Sequence, residues 1–230
     1  MLRLLYCALR HDYGDPSRGP SFEHANFFDT LGRMPLELVH FAIDCEILAH
    51  GWAGANRRLR ALVDAWRPHA LLSVMFEEQI DFDTMRSISR GTDTITIGWF
   101  CDDHWLFDSY SRYWAHALQW AVTTDADSVP RYQALGAAVP IRSQWACNPR
   151  AYYPTSTAAD IDVSFVGQSH GRRRARVNAL RARGIPVLAR GYGWPEGRVT
   201  QKEMVDIFSR SRVNLNFAAS AARRRAAGSR

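Results

Sequence analysis

Leu2-Arg3-Leu4-Leu5-Tyr6-Cys7-Ala8-Leu9 is a short apolar run, and it stops abruptly at the polar turn Arg10-His11-Asp12-Tyr13-Gly14-Asp15. Apolar side chains on both faces of so short a run suit a strand that is covered on both sides. A bilayer crossing needs roughly 18 or more apolar residues. A signal peptide needs a longer apolar region and a small-residue cleavage site. The run therefore reads as a first buried strand, and a cytoplasmic location is expected. The pattern repeats outward from it. Leu36–Ile43, His69–Phe76, Thr94–Phe100, Trp120–Thr124 and Ile141–Ala146 read as further strands. Between them lie the helix-like segments Ser21–Arg33, Ala53–Trp66, Asp81–Ser89, Tyr113–Gln119 and Asp127–Leu135; Leu59, Leu62, Val63 and Trp66 fall at helical spacing. Strands that alternate with helices make βαβ units and a parallel sheet with helices on both faces. Their crossovers are right-handed. A Rossmann-like domain is expected over residues 1–147.

Asn148-Pro149-Arg150-Ala151-Tyr152-Tyr153-Pro154-Thr155-Ser156-Thr157 breaks the rhythm with two prolines and no periodicity, so residues 148–159 read as a linker. The βα alternation then restarts over 160–217: strand Ile161–Val166, helix Arg172–Arg183, strand Pro186–Ala189, helix Thr200–Ser209 and strand Val213–Phe217. Thr200 and Glu203 have the spacing of a capping box. Three strands and two helices form an incomplete second Rossmann-like domain, with little buried area and exposed edges. Residues 218–230 are alanine- and arginine-rich, lack large apolar side chains and are expected to be a disordered basic tail.

The composition, 47% apolar and 23% charged over 230 residues, is that of an ordinary globular protein. The net charge of +6 hides an asymmetry. From Arg172 onward there are 15 basic and 3 acidic side chains; before it there are 14 and 20. The basic half can attract a phosphate-bearing ligand. A nucleic-acid reading rests on that charge alone and is not favoured. Cys7, Cys45, Cys101 and Cys147 are scattered with no Cys-x-x-Cys pair, which indicates neither a disulfide framework nor a zinc knuckle. No metal and no cofactor is expected.

Ligands of open parallel sheets sit beyond the carboxyl ends of the strands, so the residues that follow each strand carry the chemistry. The turn from Asp12 to Ser21, with Gly14, Ser17 and Gly19, leads into a segment capped by Ser21; its free amides suit an anion or a sugar hydroxyl, or it is a plain turn. It is not Gly-x-Gly-x-x-Gly, and no Walker A sequence is present, so dinucleotide binding and P-loop chemistry lack support. Glu77-Glu78 follows the third strand. Cys101-Asp102-Asp103-His104-Trp105 follows the fourth. A carboxylate or imidazole there can take a proton from a hydroxyl nucleophile; the alternatives are a helix cap, or a metal held by Cys101 and His104. In the second unit, Gly167-Gln168-Ser169-His170-Gly171-Arg172-Arg173 joins a strand to a helix. Glycines permit close backbone approach, and amides at a helix start with neighbouring guanidinium groups suit a diphosphate. Tyr192 and Trp194 of Gly191-Tyr192-Gly193-Trp194-Pro195 stack on a base or simply turn the chain.

Several stretches together, in order, resemble the CgeB-like (spore-maturation-protein-like) glycosyltransferases of the GT-B group. They are Asp12-Tyr13-Gly14 with Phe22-Glu23-His24-Ala25-Asn26-Phe27-Phe28-Asp29-Thr30-Leu31, then Trp99-Phe100-Cys101-Asp102-Asp103-His104-Trp105, Ser111-Arg112-Tyr113-Trp114 and Thr123-Thr124-Asp125. Ser143-Gln144-Trp145-Ala146-Cys147-Asn148, Val163-Ser164-Phe165-Val166-Gly167, Gly191-Tyr192-Gly193-Trp194-Pro195 and Arg212-Val213-Asn214-Leu215-Asn216 follow. The resemblance implies two Rossmann-like domains and transfer of a sugar from a nucleotide-diphosphate donor, as co-substrate, to an unknown hydroxyl acceptor. It places the acceptor toward the first domain, with Gly14, Ser17, Gly19, His24 and Glu77. It places the donor on the second, with Gly167, Ser169, His170, Arg172, Arg173, Tyr192 and Trp194. Asp103 is the expected proton acceptor, His104 its alternate, and Asp102 is expected to be structural. Family members continue past the Asn-Leu-Asn strand with a Gly-rich segment containing Arg and Glu. Its replacement by the Ala/Arg tail implies a C-terminally truncated relative, and with it the alternative of an inactive sugar- or protein-binding module.

Overall fold

The computed structural model describes residues 1–75, 77–155 and 158–217; the expected tail, residues 218–230, lies outside them. The chain divides into two compact units, and the second begins at Pro149.

The first unit is built on six strands: β1 (Leu2–Ala8), β2 (Leu36–Ala42), β3 (Ala70–Val74), β4 (Ile95–Phe100), β5 (Trp120–Thr123) and β6 (Val139–Arg142). All pair in parallel in the order β2-β1-β3-β4-β5-β6. Leu4 pairs with Leu38 on one side and Ala70 on the other. The chain thus winds outward from β1 to β2, returns past β1 to β3 and continues to β6. That reversal makes a switch point at the carboxyl ends of β1 and β3. The order is doubly wound α/β, but it is not the 3-2-1-4-5-6 order of dinucleotide binders, in keeping with the missing glycine fingerprint. The second unit repeats the device at smaller scale: β7 (Ile161–Val166), β8 (Val187–Arg190) and β9 (Ser211–Asn214) pair in parallel in the order β8-β7-β9. The fold is Rossmann-like α/β in two successive parallel sheets.

Alternation along β1 divides the first core. Leu5 and Cys7 face one layer with Leu59, Leu71, Ile88 and Phe100. Tyr6 and Ala8 face the other with Val74, Phe27, Phe28 and Trp99. Val177, from the helix Arg173–Arg181, packs with Phe165, Val187, Ala189 and Trp194 in the second core. No helix among the described residues is long and apolar enough to cross a membrane.

Four local expectations need correction. The helix after β2 spans Ile43–Trp66, ten residues more than its periodicity indicates; Gly51 breaks it at φ 68° and hides the first half. β6 starts at Val139 and contains Pro140. A proline lacks the N–H of a central strand, but β6 is an edge and tolerates it. Residues 22–31 are helical as expected and capped by Ser21, whose Oγ accepts from the His24 N–H at 2.9 Å, but the winding is π over His24–Phe28 before the short α-turn Asp29–Leu31. The last strand pairs over Ser211–Asn214, earlier than the alternation at 213–217. The capping box forms as expected, with Thr200 Oγ1 accepting from the Glu203 N–H at 3.2 Å and Glu203 accepting from the Thr200 N–H at 2.7 Å.

The end of the first unit is pinned to its beginning by two buried asparagines. The Asn148 N–H donates to Asn26 Oδ1 at 3.0 Å, Asn148 Nδ2 donates to the Ala25 carbonyl at 3.0 Å, and Asn26 Nδ2 donates to the Phe22 carbonyl at 3.1 Å. Asn26→Ala removes the side-chain acceptor of the buried Asn148 N–H, a loss of about 1–3 kcal/mol. Urea unfolding will register that loss; a midpoint equal to wild type would show that the clasp contributes nothing.

Candidate functional site

The second unit carries a crevice where the order of β8-β7-β9 reverses. A cavity of about 350 Å³ is lined by Phe165, Val166, Gly167, Arg173, Phe208, Asn214, Leu215 and Asn216. The turn after β7 is braced by the turn after β8. The Gly167 N–H donates to the Arg190 carbonyl at 2.8 Å, and the Ser169 N–H donates to the Tyr192 carbonyl at 3.0 Å. Gly191 sits at φ 129°, and a Cβ there would lie 2.3 Å from the Gly167 carbonyl oxygen, so only glycine fits. Arg173 reaches the Gln168 and Phe217 carbonyls at 3.3 Å each and lies over the Phe165 ring. Its Nε is buried and meets no acceptor among the described residues. A buried cationic N–H without an acceptor is costly.

The other expected donor residues divide. Arg172 and His170 are exposed at the start of the helix Arg173–Arg181. Tyr192 is also exposed. Trp194 is not available for stacking: it is buried, its Nε1 donates to the Gly167 carbonyl at 2.8 Å, and its ring meets Phe165 edge-on. It belongs to the core and holds the Gly167 turn in place. Ser169 Oγ accepts from Arg174 at 3.3 Å.

In the first unit the stretch after β4 forms the short helix Asp103–Leu106. Asp103 is only 1% exposed. Its Oδ2 accepts from the Tyr132 hydroxyl at 3.0 Å, while Oδ1 is buried without a hydrogen-bond partner. Burial pushes its carboxyl up, and the neighbouring Ser111, Thr123 and Tyr132 hydroxyls offset only part of that. This buried carboxylate anchors the turn to the helix Ser128–Leu135. Asp102 is partly exposed and His104 is exposed.

The expected acceptor residues also spread out. Gly14 lines a cavity of about 310 Å³ with His11, Pro16, Asp44, Cys45, Leu48 and Ala49. Ser17 donates to its neighbour Asp15 at 2.7 Å, and Gly19 turns the loop at φ 79°. His24 packs against Phe28 and His40, and burial lowers its pKa. Glu77 is exposed.

No family model matches the chain, and no curated protein sequence matches it. Among solved structures, the chain is similar to a UDP-GlcNAc 2-epimerase from Neisseria meningitidis, solved bound to UDP-GlcNAc. The identity is 8% and the TM-score 0.45, over 94% of this chain and 73% of that one. At that TM-score the likeness carries no argument; the fold stated above rests on its own strand order and register.

Sequence reasoning passed over His11, Asp44 and Cys45. Asp44 Oδ1 accepts from the Arg10 N–H at 2.8 Å, and Oδ2 accepts from the His11 N–H at 3.0 Å and lies 2.8 Å from His11 Nδ1. Burial pulls the Asp44 carboxyl up, but these donors outweigh it and hold the carboxyl below its ordinary value. The available signal was the parallel β1–β2 register, which brings the residues after Leu9 beside those after Ala42.

The raised pKa of Asp103 has a definite sign. The folded chain binds this proton more tightly than the unfolded chain, so stability falls as pH rises from the unfolded carboxyl value, about 3.9, through the higher folded value. Asp103→Asn should flatten that slope in urea midpoints measured between about pH 4 and pH 7. An unchanged slope would mean that another carboxyl carries it.

Proposed function

We propose that the chain is a nucleotide-sugar-dependent glycosyltransferase of the CgeB-like, GT-B type, which moves a sugar from a nucleotide-diphosphate donor to a hydroxyl acceptor. The observation that carries this reading is the crevice at the β7/β9 reversal, with the unsatisfied Arg173 Nε beside the Gly167 turn. A diphosphate there meets the amides at the start of the helix Arg173–Arg181 and the guanidinium groups of Arg172 and Arg173. The same groups stabilise the departing diphosphate as its charge develops. A cluster of cations at a helix N-terminus is electrostatically unfavourable by itself, and an anionic ligand removes the misfit. On the first unit Asp103, the first choice from sequence, is buried against Tyr132, and the acceptor's proton therefore falls to its alternate, the exposed His104.

Calorimetry with uridine and guanosine diphosphates tests the donor half. Wild type should bind at least one of them. Arg172→Ala combined with Arg173→Ala should weaken that binding by roughly 10-fold or more, as expected for lost hydrogen bonds to a charged group. Equal affinity in the double variant would remove the site from this crevice. His104→Ala should reduce turnover by roughly 10²–10⁴-fold with diphosphate affinity intact. A change of less than a few-fold would sink its role as proton acceptor.

A further inference from the structure

His11, Asp44 and Cys45 bring three different ligating atoms to one point. β1 and β2 run parallel with Ala8 opposite Ala42, so the chain leaves both strands at the same end of the sheet. His11 then faces the first turn of the helix Ile43–Trp66, which carries Asp44 and Cys45 in succession. Asp44 Oδ2 lies 2.8 Å from His11 Nδ1, Cys45 Sγ lies 3.8 Å from the same nitrogen, and the three ligand atoms all fall within 4.8 Å of one another. Around a tetrahedral zinc ion, with ligands at about 2.0–2.3 Å, donor atoms sit about 3.3–3.6 Å apart. Closing the cluster on an ion widens the His11–Asp44 separation by about half an ångström, shortens the His11–Cys45 separation by a few tenths, and draws Cys45 Sγ toward the Asp44 carboxylate by up to about 1.3 Å, a side-chain rotation's reach.

We propose that His11 Nδ1, the Asp44 carboxylate and the Cys45 thiolate form a three-ligand site for a zinc-class divalent cation, with a fourth position open to the adjoining cavity. An imidazole and a sulfur among three donors select zinc over magnesium or calcium, which take oxygen ligands. The carboxylate is already aimed: the Arg10 and His11 N–H groups hold it, as supporting donors hold ligands in metal sites. The cavity of about 310 Å³ lined by the same three residues, Gly14, Pro16 and Leu48 leaves room for a water or a hydroxyl. Zinc acidifies an oxygen bound in such a position. Proton balance is simple. With a neutral His11 ring, which carries its proton on Nε2 when Nδ1 binds the ion, the Cys45 thiol releases its proton to solvent and one proton leaves per ion bound. Burial and the Asp44 charge keep Cys45 a thiol until a cation arrives. Cys101 and His104 belong to no such group of three among the described residues. The competing account is that His11 and Asp44 merely pin the loop after β1, with no part for Cys45.

The full chain, with no nucleotide present, is titrated with cobalt(II) and then zinc(II), so the outcome is independent of the donor crevice. One cobalt should bind with a thiolate-to-metal charge-transfer band in the near ultraviolet. Zinc should displace it, with about one proton released per ion. Cys45→Ser should abolish the band, and His11→Ala should weaken zinc binding by at least roughly 10–100-fold, the loss produced by removing even a supporting residue. Cys147→Ser, which alters the exposed thiol, should change neither. The proposal is overturned by a missing band, by a band that survives Cys45→Ser, or by one that disappears with Cys147→Ser. Should the site variants not fold, X-ray absorption of the zinc-loaded wild type decides. One sulfur at about 2.3 Å among nitrogen and oxygen ligands supports the site, and a shell with no sulfur or with several contradicts it.

Discussion

β1 is paired on both edges and buried on both faces: Leu5, Tyr6, Cys7 and Ala8 have no exposed surface. A strand placed so must have both parallel neighbours delivered by crossovers long enough to carry helices. The first crossover, residues 9–35, and the second, through the helix Ile43–Trp66, therefore leave the sheet at one end and go to opposite sides of β1. The polar residues that cannot remain in the strand, from Arg10 onward, are forced together with the start of that helix at the switch point. The His11–Asp44–Cys45 cluster and the Gly14 cavity follow from this placement. β7 repeats the constraint between β8 and β9, and its switch point collects Gly167, Arg173 and the end of β9.

Polar groups that the folding chain must bury are resolved differently at the two switch points. In the first unit, Asp44 is satisfied by backbone N–H groups and the His11 ring, and Asn26 and Asn148 satisfy each other and nearby carbonyls. In the second, the Arg173 and Arg190 Nε atoms are buried without acceptors among the described residues. The first unit also buries His24 Nδ1, Trp99 Nε1 and Asp103 Oδ1 without partners, but the cationic donors left so among the described residues lie in the second unit. The first unit offers a mixed nitrogen, oxygen and sulfur set instead.

The strands were largely legible in the sequence because each apolar run is short, β-rich and bounded by polar turns. Ile161–Val166 could be read to the residue. Legibility failed where a local rule met a tertiary exception: Pro140 on an edge strand, Gly51 inside a helix, and π-turn winding at His24–Phe28. The site was less readable. Gly167 and Arg173, expected from their position after a strand, do line the cavity at the β7/β9 reversal. Asp103 and Trp194 stand at equally suggestive positions, but their side chains turn into the core. Orientation of that kind depends on partners such as Tyr132 and Phe165, 29 residues away in each case, which no local pattern reveals. The His11–Asp44–Cys45 group escaped notice because its members are 33 and 34 residues apart and only strand register unites them.

The claim on which the functional account turns is that an anionic nucleotide sits at the β7/β9 reversal. Hydrogen–deuterium exchange with and without saturating nucleoside diphosphate measures this across the whole chain. The account predicts slower exchange in peptides covering 166–175 and 211–217, with the loops after β1 and β4 unchanged. Protection confined to the first unit, or none at saturation, would contradict it.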